Sequence, residues 1–305
     1  MAPARHLVPP AVRGWSGRIA RFVRGSHPPL PSLAVAVLWA CGVGGLFAAV
    51  DPDAPDWRPG TGTAVAAVSL FADLLLMRAL DDIRDLDYDR RFHPGRPLAA
   101  GAVRTGDLAV LYGAGAVVLG LLNAAWPWRA GILLAQLAYA AGAIGVHRRW
   151  RRPSADKLFT SLLVSLPVPV LLHLYLYAGY LEEAGHGADR YGLVAVAVVV
   201  LAAGHPELAG KITRAPRPGE RTYVTTLGVP GTVVLALAVP VPSVCLLAVF
   251  SQAPDGWTLL AVLPLIVPAL AAWGFRRGRT RWPPAAPPLY LLLTLAGHLA
   301  IGWAR

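Results

Sequence analysis

Apolar residues fill the chain in nine long blocks, separated by short segments rich in Arg, Pro, Gly and Asp. The blocks fall at about 31–50, 61–80, 105–122, 129–146, 158–180, 191–206, 224–250, 257–275 and 287–303. Most reach the ~18–20 residues that a helix needs to cross a bilayer. The third and fourth are short and rich in Gly and Ala, residues that are ordinary in membrane helices. The pattern predicts an all-α polytopic membrane protein of nine transmembrane helices over residues 29–305. A basic tail, 1–28, precedes them, and its stretch 12–24 can lie as a short helix on the membrane surface.

Composition strengthens this reading. Of 305 residues, 55% are hydrophobic and only 15% charged, against about a quarter charged in ordinary soluble domains. The two cysteines, Cys41 and Cys245, both lie inside apolar blocks and suggest neither a disulfide framework nor a metal site. No short apolar segment with a cleavage site opens the chain, so the first span is expected to stay in the mature protein.

The charge distribution gives the expected orientation. With the N-terminus in the cytoplasm, the cytoplasmic segments hold Arg5, Arg13, Arg18, Arg21 and Arg24, then Arg84, Arg90, Arg91, Arg96 and Arg104, then Arg148, Arg149, Arg151, Arg152 and Lys157. They also hold Lys211, Arg214, Arg217 and Arg221, and finally Arg276, Arg277, Arg279 and Arg281, which makes 23 of the 28 basic residues. The opposite side carries four, Arg58, Arg129, Arg190 and Arg305. This is the positive-inside bias of an integral membrane protein with its N-terminus cytoplasmic and its C-terminus outside. Topology therefore accounts for the net charge of +11, and nothing is left to support nucleic-acid binding.

One segment breaks the basic pattern. Residues 78–89, Arg-Ala-Leu-Asp-Asp-Ile-Arg-Asp-Leu-Asp-Tyr-Asp, carry five of the 17 acidic residues. On a continuous helix, Asp81, Asp82, Asp85 and Asp89 fall within an arc of roughly 100°, and Asp87 points away. Clustered carboxylates repel unless something cationic joins them. Mg²⁺ with substrate phosphates is one such partner; Arg78, Arg84, Arg90 and Arg91, on a solvated helix end, are the other. Arg78 can bind phosphate or neutralise Asp82.

A second polar segment follows the sixth block. If that helix continues past Pro206, Glu207, Lys211 and Arg214 share one face, and Pro216 and Pro218 end it. Glu207 then points towards a metal and the cations towards phosphate oxygens, or Glu207 and Lys211 simply pair on a surface turn. Lys157 and Lys211 are the only lysines, against 26 arginines. His147, His173 and His298 occur singly and read as structural. Asp73 lies inside the second span, where ionisable groups usually face a cavity or each other; its spacing from Arg78 disfavours direct pairing.

Nine spans with two polar motifs, after spans two and six on one face, resemble the UbiA superfamily of intramembrane prenyltransferases. The resemblance is carried by Asp81-Asp82-x-x-Asp85-x-x-x-Asp89 with His93-Pro-Gly-Arg-Pro-Leu98 after it, and by Glu207-x-x-x-Lys211 with Thr222-Tyr223. The usual first motif begins Asn-Asp, and the usual second motif is Asp-x-x-x-Asp; the Glu-x-x-x-Lys version is similar to a bacterial branch. The resemblance implies a bundle around a lateral, lipid-open cavity in a bacterial-type cell membrane, with the active site at the cytoplasmic face. It implies a Mg²⁺-bound prenyl diphosphate, with Asp81 and Asp85 as metal ligands, Asp82 and Asp89 supporting, and Glu207 at a second metal. Lys211 cannot ligate Mg²⁺, and its charge can contact the diphosphate directly.

The chemistry so implied is ionisation of an allylic diphosphate. Mg²⁺ acts as a Lewis acid on the leaving oxygens. Arg96, Lys157, Lys211, Arg214 and Arg221 are candidates to add charge there, with Tyr223 among the substrate-binding residues. An aromatic or other lipophilic acceptor makes the protein a prenyltransferase; an internal double bond makes it a terpene cyclase. A transporter or non-catalytic membrane protein is the third reading, and it should place ionisable residues near mid-membrane. The charge bias makes one prediction directly: reporter fusions after Arg24 and after Arg305 report opposite sides of the membrane, and the same side for both sinks the nine-span topology.

Overall fold

The computed structural model describes residues 14–54, 56–150, 157–185, 187–254 and 256–305. Arg5, Arg13, Arg151 and Arg152 of the charge count, Asp255, and the first two residues of the expected surface helix 12–24 lie outside them. The chain forms α1 (Trp15–Ser26), α2 (Pro29–Val50), α3 (Thr61–Arg84), α4 (Leu86–Phe92), α5 (Thr105–Leu122), α6 (Pro127–Trp150) and α7 (Leu158–Ser165). It continues as α8 (Pro167–Ala184), α9 (Arg190–Ala209), α10 (Val224–Ala238), α11 (Pro240–Phe250), two 3₁₀ turns (Trp257–Ala261, Leu263–Leu265), α12 (Ile266–Arg276) and α13 (Ala286–Trp303).

Among the described residues, nine segments are long and apolar enough to cross a membrane: α2, α3, α5, α6, α7 with α8, α9, α10 with α11, the 3₁₀ turns with α12, and α13. They coincide with the nine expected blocks to within a few residues, and the protein is all-α and polytopic. Two spans are built from two helices each, and proline explains where they divide. Pro167 and Pro240 stand in the first turn of α8 and α11, where a missing N–H costs nothing but the preceding helix cannot run on.

Helix α2 runs through the centre, packed on α3, α8, α9 and α13. Its second half, Val43 and Leu46 to Val50, is fully buried. Large apolar side chains face outward elsewhere, including Val110, Val117, Leu121, Leu193, Val249 and Leu270. In a lipid solvent such groups need no burial, and helices instead associate through close packing of small residues. The α2–α13 contact is built that way. A Cβ added at Gly42 would lie 2.5 Å from the Leu295 carbonyl oxygen, and one at Gly45 would lie 2.8 Å from that of His298. The short connection after α2 is pinned from two distant parts of the chain: Tyr180 of α8 donates to Asp51 Oδ2 at 2.9 Å, and Arg305 donates to the Asp51 carbonyl and to the Pro52 carbonyl at 2.7 Å.

The segment before the first span is part of the body. Phe22 of α1 is fully buried in a cluster with Ala79, Ile83, Leu98, Val103 and Leu108. Arg18 grips Asp107 of α5 with two hydrogen bonds of 2.7 and 2.6 Å. So 15–26 is a helix, as expected for the 12–24 stretch, and its apolar face is spent on protein.

The α2–α13 packing predicts that Gly45→Ala is overpacked, at a cost of about 1–3 kcal/mol, and lowers the apparent melting temperature in detergent. Gly142→Ala in α6, where a Cβ meets nothing within 4 Å, should leave the melting temperature unchanged or raise it slightly. Equal behaviour of the two variants would contradict the close-packing account.

Candidate functional site

Both polar segments lie at one end of the bundle, with the ends of α3, α6 and α9, the start of α7, and the α12–α13 connection. The first segment is not the continuous helix that its arc assumed. Helix α3 ends at Arg84, Asp85 leaves helical geometry (φ −98°, ψ 10°), and α4 starts at Leu86. The i to i−4 hydrogen bonds nevertheless continue across the break, from Asp85 to Asp81 at 2.9 Å and from Asp89 to Asp85 at 2.8 Å. The carboxylates therefore stay clustered but divide into two groups.

Asp81 and Asp85 share Arg84. Its guanidinium lies 3.0 Å from Asp81 and makes bonds of 3.1 and 2.9 Å to Asp85. Asp81 is half-exposed, at 49% of its side chain, and Glu207 is within electrostatic range of both Asp81 and Arg84. Asp82 and Asp89 turn to another pair of arginines. Arg78 meets Asp82 at 2.6 Å, so Arg78 neutralises that aspartate. Arg96 bonds both Asp89 oxygens at 2.8 and 2.7 Å and lies 3.9 Å from Asp82. Asp87, expected off the face, is exposed and 3.5 Å from Arg90.

The second segment departs further from expectation. Helix α9 passes through Pro206 but stops at Ala209, well before Pro216. The chain then pairs with the α12–α13 connection: Arg214 N–H donates to the Thr280 carbonyl at 2.8 Å, Trp282 N–H to the Ile212 carbonyl at 3.2 Å, and Thr213 faces Arg281 in an antiparallel bridge. This pairing carries Arg214 off the Glu207–Lys211 face. Its guanidinium donates to the carbonyls of Arg279 and Phe275 at 3.2 and 3.0 Å and lies over the Phe275 ring. Arg214 thus ties two connections together. Glu207 and Lys211 do form an ion pair. Tyr223 supports both, donating to Glu207 Oε1 at 2.9 Å while Lys211 sits over its ring.

Arg221 joins the two segments. It donates to Asp85 Oδ1 at 2.7 Å and lies over the Tyr88 ring. Between them is a cavity of about 370 Å³, whose lining includes Arg84, Asp85, Asp89, Arg96, Lys211 and Arg221. Leu158 and Ser161 of α7 also line it; Lys157, exposed at the start of that helix, does not. Nor do Asp81, Asp82, Glu207, Arg214 and Tyr223. Sequence reasoning missed Tyr88, His93, His147, Glu220 and Arg281 in the wall. His93 stood inside the first motif and Glu220 and Arg281 in basic stretches, but only the 213–281 bridge brings the last connection here. Arg281 fixes Glu220 at 2.7 Å.

The charges act on one another. Burial pushes the Asp85 carboxyl up, but Arg84 and Arg221 outweigh it and hold the group below its usual range. Burial and the Arg96 charge lower the His93 imidazole. Burial likewise raises Glu220, while the Arg217 N–H and Arg281 bring it down. The donors of a hard cation are present as carboxylate oxygens: Asp85 in the cavity wall, paired with Arg84 and Arg221, and Asp81, half-exposed beside it but outside the wall. Among the described residues no three His, Cys, Asp or Glu side chains gather as a ready metal cage. These residues fit an ion taken by one or two carboxylates together with phosphate oxygens, the manner typical of Mg²⁺.

Comparison with protein-family models, with curated proteins and with solved structures returns no match.

The Asp85–Arg221 contact predicts coupling between the segments. In a double-mutant cycle with Asp85→Asn and Arg221→Gln, read by unfolding in detergent, the interaction free energy should be at least about 1 kcal/mol. Because the folded carboxyl is held below its unfolded value, its contribution is full above the ordinary carboxylate range and is lost as the pH falls through the lower folded value. Additive effects would mean that the segments meet without energetic consequence.

Proposed function

We propose that the protein is a Mg²⁺-dependent intramembrane enzyme of the UbiA type, which moves the prenyl group of a prenyl diphosphate to a lipophilic or aromatic acceptor. The observation that carries this reading is the convergence of the two polar segments on one cavity at the end of an apolar bundle. Five cationic side chains (Arg84, Arg96, Lys211, Arg221, Arg281) and three carboxylates (Asp85, Asp89, Glu220) line that cavity. The excess of cations favours a ligand bearing several negative charges. The apolar helices below favour a ligand with a hydrocarbon tail.

In this reading Asp81 and Asp85 would hold the Mg²⁺, with Glu207 beside them, and the ion would supply Lewis-acid stabilisation of the leaving diphosphate. The other roles belong to the chain's own groups. Arg84 and Arg221 present planar forks suited to phosphate oxygens. Lys211 adds a point charge where the family carries a carboxylate, and Glu207 and Tyr223 hold it in place. Arg96 fixes Asp89, and Arg78 fixes Asp82, so that the inner carboxylates stay compensated. The bundle keeps water from the allylic cation that ionisation leaves. The basic end is the cytoplasmic face of a cell membrane in this proposal.

The test is incubation of the purified protein with ten-, fifteen- and twenty-carbon prenyl diphosphates and Mg²⁺, with and without candidate acceptors, followed by analysis of the organic extract. Prenylated acceptor is the expected product; a cyclised hydrocarbon or alcohol without acceptor would move the reading to a terpene cyclase. Asp85→Asn should lower turnover at least about 10²-fold, the scale of losing one electrostatic stabiliser, while Asp87→Asn leaves it nearly unchanged. Intact diphosphate under every condition would remove the enzymatic reading, and equal losses in both variants would remove the oriented site.

A further inference from the structure

The interior of the bundle holds a carboxyl group that the cavity does not use. Asp73 stands near the middle of α3, roughly 16–18 Å from either end at 1.5 Å per residue, and its exposure is 0%. Neither of its oxygens accepts a hydrogen bond. Beside it lies the carboxamide of Gln136 from α6, near enough to act on it as a donor though outside hydrogen-bonding geometry. The Nε2 of that carboxamide faces Met77 Sδ at 3.6 Å, and its Oε1 is likewise buried without a partner.

Among the described residues, the remaining neighbours bring no countercharge. Tyr112 of α5 and Tyr175 of α8 lie within electrostatic range of Asp73, but their hydroxyls are committed. Tyr112 donates to the Leu137 carbonyl at 2.7 Å, and Tyr175 donates to Asn123 Oδ1 at 3.0 Å. Arg129 reaches only as far as the Tyr175 hydroxyl, at 3.1 Å. Ser69, one turn earlier on α3, takes a hydrogen bond from Asn123 at 3.0 Å. Helix α2 contributes no charged residue, and Cys41 is its one titratable group. The charged residues of α4 lie past the far end of α3, and Arg78 is turned to Asp82.

An ionised carboxylate in this place would carry a full charge with no cation and only the Gln136 carboxamide as a possible donor, an arrangement that buried groups avoid. A neutral carboxyl has one O–H to give, and the neighbouring carboxamide carries an acceptor that lacks a donor. A single proton therefore satisfies both orphaned groups. We propose that Asp73 and Gln136 form a proton-binding site in the interior of the bundle, occupied at neutral pH, in which the Asp73 carboxyl donates to Gln136 Oε1. The site is independent of the substrate reading: it stands or falls on spectroscopy of the protein alone.

The experiment is infrared difference spectroscopy of the detergent-solubilised full chain, wild type against Asp73→Asn. Asparagine is close in shape to a neutral carboxyl and can still bond Gln136, so the variant should fold with a nearly unchanged melting temperature. The expected result is a carbonyl stretch of an un-ionised carboxyl at neutral pH, sensitive to deuterium and lost in Asp73→Asn. In Gln136→Ala the same band should move to higher frequency, because its hydrogen bond is gone; this comparison also serves if Asp73→Asn does not fold. Carboxylate bands alone at neutral pH would overturn the proposal, and would mean that the carboxamide is turned with Nε2 donating to an ionised Asp73. A band unmoved by Gln136→Ala would also overturn it, since the proton would then rest elsewhere.

Discussion

The pairing of aspartate with arginine at the basic end is the constraint on which the rest of the site depends. Four carboxylates crowd the junction of α3 and α4, and their mutual repulsion would prise that junction open without cations between them. Arginine suits the task because its planar fork spans two carboxylates at once. Arg84 bridges Asp81 to Asp85, and Arg96 reaches both Asp89 and Asp82. The bridging also connects elements far apart in the chain, since Arg221 reaches Asp85 across 136 positions. One set of ion pairs therefore compensates charge, holds the helix break and closes the cavity wall.

This arrangement bears on the proposed chemistry. A guanidinium that neutralises a carboxylate can equally face a phosphate oxygen, and a carboxylate so released can face a hard cation. The groups that stabilise the fold at this end are the same groups that a charged ligand would engage. Lys211 fits the pattern: paired with Glu207 and set over Tyr223, it also faces the cavity. Its pairing and its exposure to a ligand are compatible roles.

The spans were legible in the sequence because hydrocarbon demands long apolar helices, whereas the division of two of them at Pro167 and Pro240 was not read there, since proline is common within membrane helices. The first motif was legible as a cluster, although the break at Asp85 was not, since helical spacing alone cannot reveal a departure from the helix it presumes. The second motif was half legible. Glu207 and Lys211 pair as their spacing required, whereas Arg214 is diverted by backbone pairing of 212–214 with 280–282. That pairing leaves no periodic trace, because it joins two short polar connections by main-chain groups. Arg281 and Glu220 were invisible as site residues for the same reason. Asp73 was noticed as an intramembrane carboxylate, but its partner Gln136 lies on another helix and carries no charge to signal it.

The docking of α1 on α5 has a consequence for the order of assembly. Phe22 and Arg18 leave the ribosome early, yet the groups that receive them, Leu98, Val103, Asp107 and Leu108, belong to the far side of the second span and the start of the third. During synthesis α1 must wait, as an amphipathic segment at the membrane surface, until roughly ninety more residues have been made and the third span has entered the bilayer. Its docking is then a late event that ties the second and third spans together. A nascent chain stalled before Asp107 would leave Phe22 uncovered, a ready mark by which quality control could tell an unfinished bundle from a complete one.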